Sequence, residues 1–136
     1  MKKLLLLLLS AILFLSFGCD KEEKDTPFTL LTAHVWTSDS LLVNGQDASG
    51  PDGLLFGFKG DAKFDKDGSG TFGNHQGTWR FSSNETQLVI TSEELPLPLT
   101  ALIGELTKTD LKISTAFPNP EPPPASLDIR MTFKAK

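Results

Sequence analysis

The sequence predicts an all-β fold, an antiparallel meander of about eight strands that closes into a barrel. In Leu127–Phe133 apolar residues alternate strictly with polar ones, which is typical of a strand with one buried and one solvent-facing side. Turn dipeptides such as Asn44-Gly45 recur at short intervals, and no segment after residue 18 sustains a helical period over about ten residues. A β-sandwich is the alternative, but sequential hairpins favour a barrel because closure removes exposed strand edges.

Short apolar or alternating runs between turn residues place the individual strands. In chain order they are Trp36–Val43, Leu54–Phe58, Ala62–Asp65, Gly70–Gly73, Trp79–Phe81, Leu88–Ile90, Leu102–Thr107, Leu111–Ser114 and Leu127–Lys134. Pro96 and Pro98 push Leu95–Leu99 to a sheet edge or a loop, because proline has no backbone donor for a sheet ladder. Pro118–Pro124 is short of donors for the same reason and is expected to form the loop into the last strand.

The N-terminus has the pattern of an export signal. Lys2 and Lys3 form a positive start, and Leu4–Phe17 is apolar except for two serines. A run of this length is too short for a bilayer core, which needs roughly twenty residues. Met1–Gly18 is therefore predicted to be a cleaved signal peptide and not a transmembrane helix.

Cys19, the only cysteine in the chain, follows a small residue at the end of this run. The segment Leu15–Cys19 resembles the lipobox of bacterial lipoproteins, in which the cysteine is acylated and becomes the first residue of the mature protein. The resemblance implies that the membrane is a partner, held through the lipid at Cys19. An ordinary secretory signal cleaved nearby is the alternative, although no A-x-A site is present.

Residues 19–30 are predicted to be the lipidated cysteine and a flexible tether, and residues 31–136 the folded domain. Asp20–Asp25 is charged and lacks apolar residues, so it cannot pack against a core. Lys21–Glu23 resembles the Lys-acidic-acidic signal that directs lipoproteins of Bacteroidota-type bacteria to the outer face of the outer membrane. The expected location is the cell envelope, anchored to the outer membrane and surface-exposed; a plain spacer that does not specify the leaflet is the alternative.

Composition excludes several functional classes. Cleavage after Gly18 leaves 118 of the 136 residues and changes the formal net charge from −4 to −6. That length suits one domain, and the acidic balance gives no electrostatic footprint for nucleic acid. With Cys19 acylated, the mature chain has neither a disulfide nor a thiol nucleophile. Ten Phe and two Trp supply its aromatic area, since Tyr is absent.

Several short motifs follow one another in a characteristic order along the chain. They are Trp36 at the start of the first strand, the Phe64–Gly68 hairpin, Gly77–Phe81, Leu88–Ile90, Glu105–Leu111 and the closing Met131–Phe133. This order resembles the small lipocalin-like domain common in lipoproteins of Bacteroidota-type bacteria, although Ala33–Trp36 lacks the Gly-x-Trp of true lipocalins. The resemblance covers residues 31–136 and implies a lipocalin-like barrel with an apolar cavity. It implies no catalytic residues and no cofactor.

The predicted function is a lipid-anchored, lipocalin-like binding module for a small apolar or amphiphilic ligand. Candidates for the cavity wall are Phe64, Phe72, Trp79, Phe81, Ile90, Ile113 and Met131. These residues could equally form a packed core, because an eight-stranded barrel is only just wide enough for its own side chains or one small ligand. The alternative is then a structural or interaction lipoprotein that presents Asn44–Gly53 and Pro118–Ala125 to a protein partner, which the sequence does not identify.

No metal or catalytic centre is predicted. Asp65, Asp67 and Ser69 match the start of a calcium-binding loop, but Gln76 stands where that loop needs a bidentate Glu. Strand-like flanks favour a hairpin turn over a calcium site. The two histidines, at positions 34 and 75, show no metal-ligand spacing, and no nucleophile motif is present, so enzyme activity is not expected.

A contact between the first and last strands is the last expectation. In lipocalins, a basic side chain from near the last strand lies over the tryptophan of the first. Trp36 and Arg130 hold the corresponding places here, and such a contact would need a ring-to-cation distance within about 6 Å. The alternation along the last strand favours instead an Arg130 that faces outward into water.

Overall fold

A computed structural model describes residues 24–121 and 123–136, so the predictions on Met1–Gly18 and Cys19 lie outside the described residues. Nine strands, one α-helix and a short 3₁₀ helix make up this part of the chain. They are α1 (Pro27–Thr32), β1 (Val35–Val43), β2 (Gln46–Asp47), the 3₁₀ helix (Phe56–Phe58), β3 (Asp61–Phe64), β4 (Ser69–Phe72), β5 (His75–Ser82), β6 (Gln87–Ser92), β7 (Leu99–Leu106), β8 (Asp110–Pro118) and β9 (Ser126–Ala135). The six-residue α1 is far shorter than a membrane span, and no helix in the described ranges could be one.

The strands form one antiparallel sheet that closes on itself. Each strand from β3 to β9 pairs with its neighbour in sequence, and β1 pairs with both β3 and β9. The result is an eight-stranded lipocalin-like barrel, with β2 as an extra short strand on β1. The all-β meander prediction is confirmed, and the β-sandwich alternative is wrong. Closure removes the edges that a sandwich would leave exposed.

Leu54–Phe58, predicted as a strand, is instead a turn that leads into the 3₁₀ helix. Phe56 N donates to Gly53 O (3.2 Å) and Phe58 N donates to Leu55 O (3.0 Å), which are the i to i+3 bonds of a tight turn. Within the run Leu55 and Phe58 are buried, a spacing of three that fits a 3₁₀ turn and not the period of two of a strand. Glycines within and next to this run allow the backbone to turn tightly. Its backbone hydrogen bonds from Phe56 and Phe58 are therefore formed within the turn and not with a neighbouring strand.

The helix α1 covers one end of the barrel. Thr29 N donates to the Thr26 hydroxyl (3.2 Å) and Thr26 N to the Thr29 hydroxyl (2.9 Å), a reciprocal cap that fixes the first turn. Leu31 and Trp36 are fully buried, and the Trp36 indole donates to Leu31 O (3.0 Å). The helix therefore begins at Pro27, inside the range 19–30 predicted as a tether, because six residues are too few to show a helical period in the sequence.

The two ends of the barrel differ. Turns at 65–68, 83–86 and 107–109 lie at the end that carries α1, and Lys108 in the last of them pairs with Asp25 (3.4 Å). We call this the closed end. Four loops lie at the opposite end, in residues 44–60, 73–74, 93–98 and the described part of 119–125, which is 119–121 and 123–125; we call them the mouth loops. The site described next lies among them.

The predicted contact between Trp36 and Arg130 is wrong. On the β1–β9 ladder Trp36 is opposite Ala135, whereas Arg130 is opposite Leu42. At about 3.3 Å per residue, the two side chains lie at different levels of the barrel, roughly 15 Å or more apart along the strands. Arg130 is exposed and pairs with Asp128 (3.2 Å), so the outward-facing alternative is confirmed.

Candidate ligand pocket

The body of the barrel is filled by its own side chains. Of the seven predicted cavity residues, Phe81 is half-buried and the other six are buried. Three of their aromatic contacts are close, with centroid distances of 5.2 Å for Phe64–Phe72, 5.7 Å for Phe64–Trp79 and 5.4 Å for Trp79–Phe81. The void among Phe64, Phe72, Ile90, Ile113, Met131 and three further side chains is only about 10 Å³. At that size it holds at most one water molecule.

A larger cavity opens at the mouth and measures about 250 Å³. Its walls come from the mouth loops and from the adjoining strand ends. They are Leu54, Leu55, Gly57, Phe58, His75, Glu94, Leu95, Pro96, Leu97, Leu99, Phe117, Ile129 and Met131. We call this the mouth pocket. An apolar concavity with a few polar groups is the usual form of a small-molecule site, and this volume is at the small end of the range.

Local backbone geometry brings the mouth loops together. Gly73 has a φ of +62°, a conformation that side chains with a Cβ rarely adopt. A Cβ on Gly73 would also lie 2.7 Å from the carbonyl carbon of Phe58, so the β4–β5 turn can touch the 3₁₀ helix only because this residue is glycine. That contact is tied by Asn74 N, which donates to Gly57 O (2.8 Å). Phe58 is thereby held against the start of β5.

Two polar side chains line the mouth pocket. His75 stacks obliquely on Phe58 with a centroid distance of 4.6 Å, and its Nδ1 is buried without a hydrogen-bond partner. Glu94 is exposed at the rim. The Ser92 hydroxyl beside it holds the pKa of the Glu94 carboxyl below its usual value by hydrogen bonding to the charged form. Glu94 is therefore a carboxylate at neutral pH.

Beside Glu94, exposed apolar side chains surround the entrance of the mouth pocket. Leu54 and Phe56 are 57% and 41% exposed, and Leu97 is 52% exposed. Leu54 and Leu97 belong to the pocket lining. Apolar side chains that cluster on exposed loops usually mark a binding surface. Here they widen the apolar entrance to the cavity.

The weak calcium candidate at Asp65, Asp67 and Ser69 is a hairpin turn between β3 and β4. Ser69 N donates to Asp67 Oδ1 (2.9 Å) and the Ser69 hydroxyl donates to the same oxygen (2.6 Å), an arrangement that lowers the pKa of Asp67. Gln76 pairs with Thr71 in the β4–β5 ladder, outside the turn. No group of three or more His, Cys, Asp or Glu within the described ranges could hold a metal ion.

The two histidines do not share a site. His34 lies at the closed end, edge-on to Trp36 with a centroid distance of 5.8 Å, whereas His75 lies at the mouth. Among the described residues, neither histidine forms a hydrogen bond with a serine or threonine hydroxyl, the contact that activates a hydroxyl nucleophile. Each histidine therefore packs against an aromatic ring of its own, His34 against Trp36 and His75 against Phe58.

Sequence reasoning missed most of the mouth pocket. Only Met131 belongs both to the predicted cavity residues and to the pocket lining. Eight of the twelve lining residues that it did not name lie on the mouth loops, in 54–58 and 94–97, and the other four lie on strands: His75, Leu99, Phe117 and Ile129. A usable signal was present in 95–97, because apolar residues next to prolines, in a segment expected at a sheet edge or in a loop, have no strand face on which to be buried.

No protein-family model matches the chain, and no curated protein is significantly similar to it. The fold and the pocket define the structural class of the protein. This is an all-β, eight-stranded antiparallel barrel that is plugged by a helix at one end and carries a small apolar pocket at the other.

Proposed function

We propose that the protein is a lipid-anchored, lipocalin-like binding module that holds a small apolar or amphiphilic ligand in the mouth pocket. The observation that carries the proposal is the cavity of about 250 Å³, whose walls are almost entirely apolar. The packed body beneath it gives the pocket a rigid floor through Met131. A rigid scaffold with binding residues on its loops is the common arrangement for barrels that bind ligands.

A second candidate function is a structural or interaction lipoprotein. The filled barrel body favours it, since a void of about 10 Å³ leaves no room for a deeply buried ligand. The exposed Leu54, Phe56 and Leu97 would then contact a protein partner directly. The two functions differ in whether a small probe enters the mouth pocket of the isolated protein.

A matched pair of substitutions tests the pocket. Leu97 and Leu102 are both 52% exposed, but Leu97 lines the mouth pocket and Leu102 lies on β7 outside it. We expect Leu97→Ser to weaken binding of the neutral fluorescent probe N-phenyl-1-naphthylamine by roughly three- to tenfold, because apolar contact area is lost. Leu102→Ser should leave the affinity unchanged. Absence of saturable probe fluorescence in the unsubstituted protein would favour the interaction function.

The envelope location is part of the same proposal. We expect Cys19→Ser to move the protein from the detergent phase to the aqueous phase in a phase-partition assay, and to abolish labelling by a radioactive fatty acid. Several acyl chains bind a bilayer stably because each buried CH₂ contributes about 0.8 kcal/mol. A substituted protein that still partitions with membranes and still takes up label would contradict the anchoring at Cys19. The outer membrane and its outer face are proposed from Lys21–Glu23.

We propose that the site binds without catalysis. The mouth pocket presents one imidazole and one carboxylate, and the Ser92 hydroxyl nearby is bonded to Gln76 O (2.6 Å) and Glu94. His75 Nδ1 has no partner to orient it. A hydrolytic site would need a nucleophile, a base and an orienting group in one chain of hydrogen bonds.

A further inference from the structure

The charges of the described residues are segregated along the barrel. The mouth loops contain one lysine, Lys59, against five carboxylates, Asp47, Asp52, Glu93, Glu94 and Glu121. The remaining described residues contain nine basic and nine acidic side chains. The walls and the closed end are therefore neutral, and the net charge of −4 that the described residues carry is located entirely around the mouth.

The lining of the mouth pocket, like the mouth loops around it, carries negative charge. Glu94 is the one charged residue among the lining residues, and no lysine or arginine is among them. Lys59 lies in a separate groove with Asp47. The Glu94 carboxylate stays ionised because the Ser92 hydroxyl donates to it. A ligand in the pocket therefore meets the Glu94 carboxylate at the rim, and the His75 imidazole is the one other titratable side chain among the lining residues.

From this arrangement we infer that the mouth pocket selects amphiphiles with a cationic head, with the alkyl chain among the leucines and an ammonium group at Glu94. The inference rests on the proposed binding function and specifies its ligand class. An ammonium gains the attraction of Glu94 and of the acidic mouth loops, whereas a carboxylate of the same chain length is repelled by both. Phe58 and Phe117 in the lining add aromatic surface, which attracts cations further.

Three ligands with the same alkyl chain length test the binding function and the preference for a cationic head group independently. Hexan-1-ol, hexylammonium and hexanoate differ only in head-group charge, and each can be titrated calorimetrically into the full chain in neutral lipid nanodiscs, with protein-free nanodiscs as the blank. We expect hexan-1-ol to bind, and hexylammonium to bind at least about tenfold more tightly than hexanoate at low salt. The preference should shrink as salt is raised to about 0.5 M, because screening acts on charge and not on the apolar chain.

Glu94→Gln tests the assigned contact, and Glu85→Gln is its control. Glu85 lies in the exposed turn between β5 and β6 at the closed end, so the control removes the same charge far from the pocket. We expect Glu94→Gln to reduce the preference for hexylammonium several-fold with hexan-1-ol affinity unchanged, and Glu85→Gln to change neither.

The possible results test the cation selectivity separately from the proposed binding function. If hexan-1-ol binds but hexylammonium binds no more tightly than hexanoate, the cation selectivity is refuted and the binding function stands. A preference that persists in Glu94→Gln refutes the role of Glu94. If none of the three ligands binds, the proposed binding function itself is refuted.

Discussion

Trp36→Ala is expected to lower the free energy of unfolding by about 3–5 kcal/mol, the usual cost of truncating a large buried aromatic side chain. Trp36 is fully buried at the start of β1. Its indole packs at the closed end and donates to Leu31 O (3.0 Å), which ties α1 to the barrel. The substitution leaves a cavity and an unpaired buried carbonyl at once. Urea unfolding followed by the fluorescence of Trp79 measures the loss.

Trp36→Phe separates the two contributions. It keeps an aromatic ring in the core but removes the donor to Leu31 O, so we expect a loss of about 1–3 kcal/mol. A Trp36→Ala variant that unfolds within about 1 kcal/mol of the unsubstituted protein would show that α1 does not depend on this contact. The same measurement at Leu31 is not equivalent, since Leu31 contributes a backbone acceptor that substitution does not remove.

Gly77→Ala is expected to cost about 3 kcal/mol or more, because the added methyl group has no space. A Cβ on Gly77 would lie 2.9 Å from the carbonyl carbon of Thr91 and 3.0 Å from the Cα of Ser92, and closer still to the Thr91 oxygen. These are backbone atoms of β6, which cannot move aside without breaking the β5–β6 ladder. Overpacking in a fixed backbone is destabilising to this extent.

Gly104→Ala is the matched control for this prediction. Gly104 lies in β7, is exposed, and its nearest atom to an added Cβ is Lys112 O at 3.7 Å, an ordinary contact distance. We expect its free energy of unfolding to change by no more than about 0.5 kcal/mol. Equal losses for the two variants would mean that the backbone approach at Gly77 has no energetic effect.

Local alternation in the sequence predicted the strands well where a strand has one wet face and one buried face. The last strand, expected at Leu127–Lys134, occupies Ser126–Ala135, because burial there follows the period of two without interruption. The turn at Asp65–Gly68 was also predicted correctly from its composition. Both features depend on residues within a few positions of one another.

Features that depend on distant residues could not be predicted in this way. The register of β1 on β9 joins residues 86 to 99 positions apart, from the pair Val43–Ile129 to the pair Trp36–Ala135. No local pattern predicts that register, so the Trp36–Arg130 contact was wrong. Leu54–Phe58 was expected to be a strand because it is a short apolar run, but its buried residues lie at the mouth pocket and not on a sheet face. The mouth pocket itself exists only because closure of the barrel brings two separate loops, 44–60 and 93–98, together with strands that are distant in the sequence.

The position of α1, taken together with the lipid proposed at Cys19, has a consequence for the direction from which a ligand would arrive. With the lipid proposed at Cys19, residues 20–26 are the only link to α1, and a link of that length spans at most about 25 Å. The described chain begins next to the closed end, so with that anchor the closed end would face the bilayer and the mouth would face the aqueous phase. The protein would then intercept its ligand from solution before the ligand reaches the lipid, and would not extract it from the membrane to which it is attached.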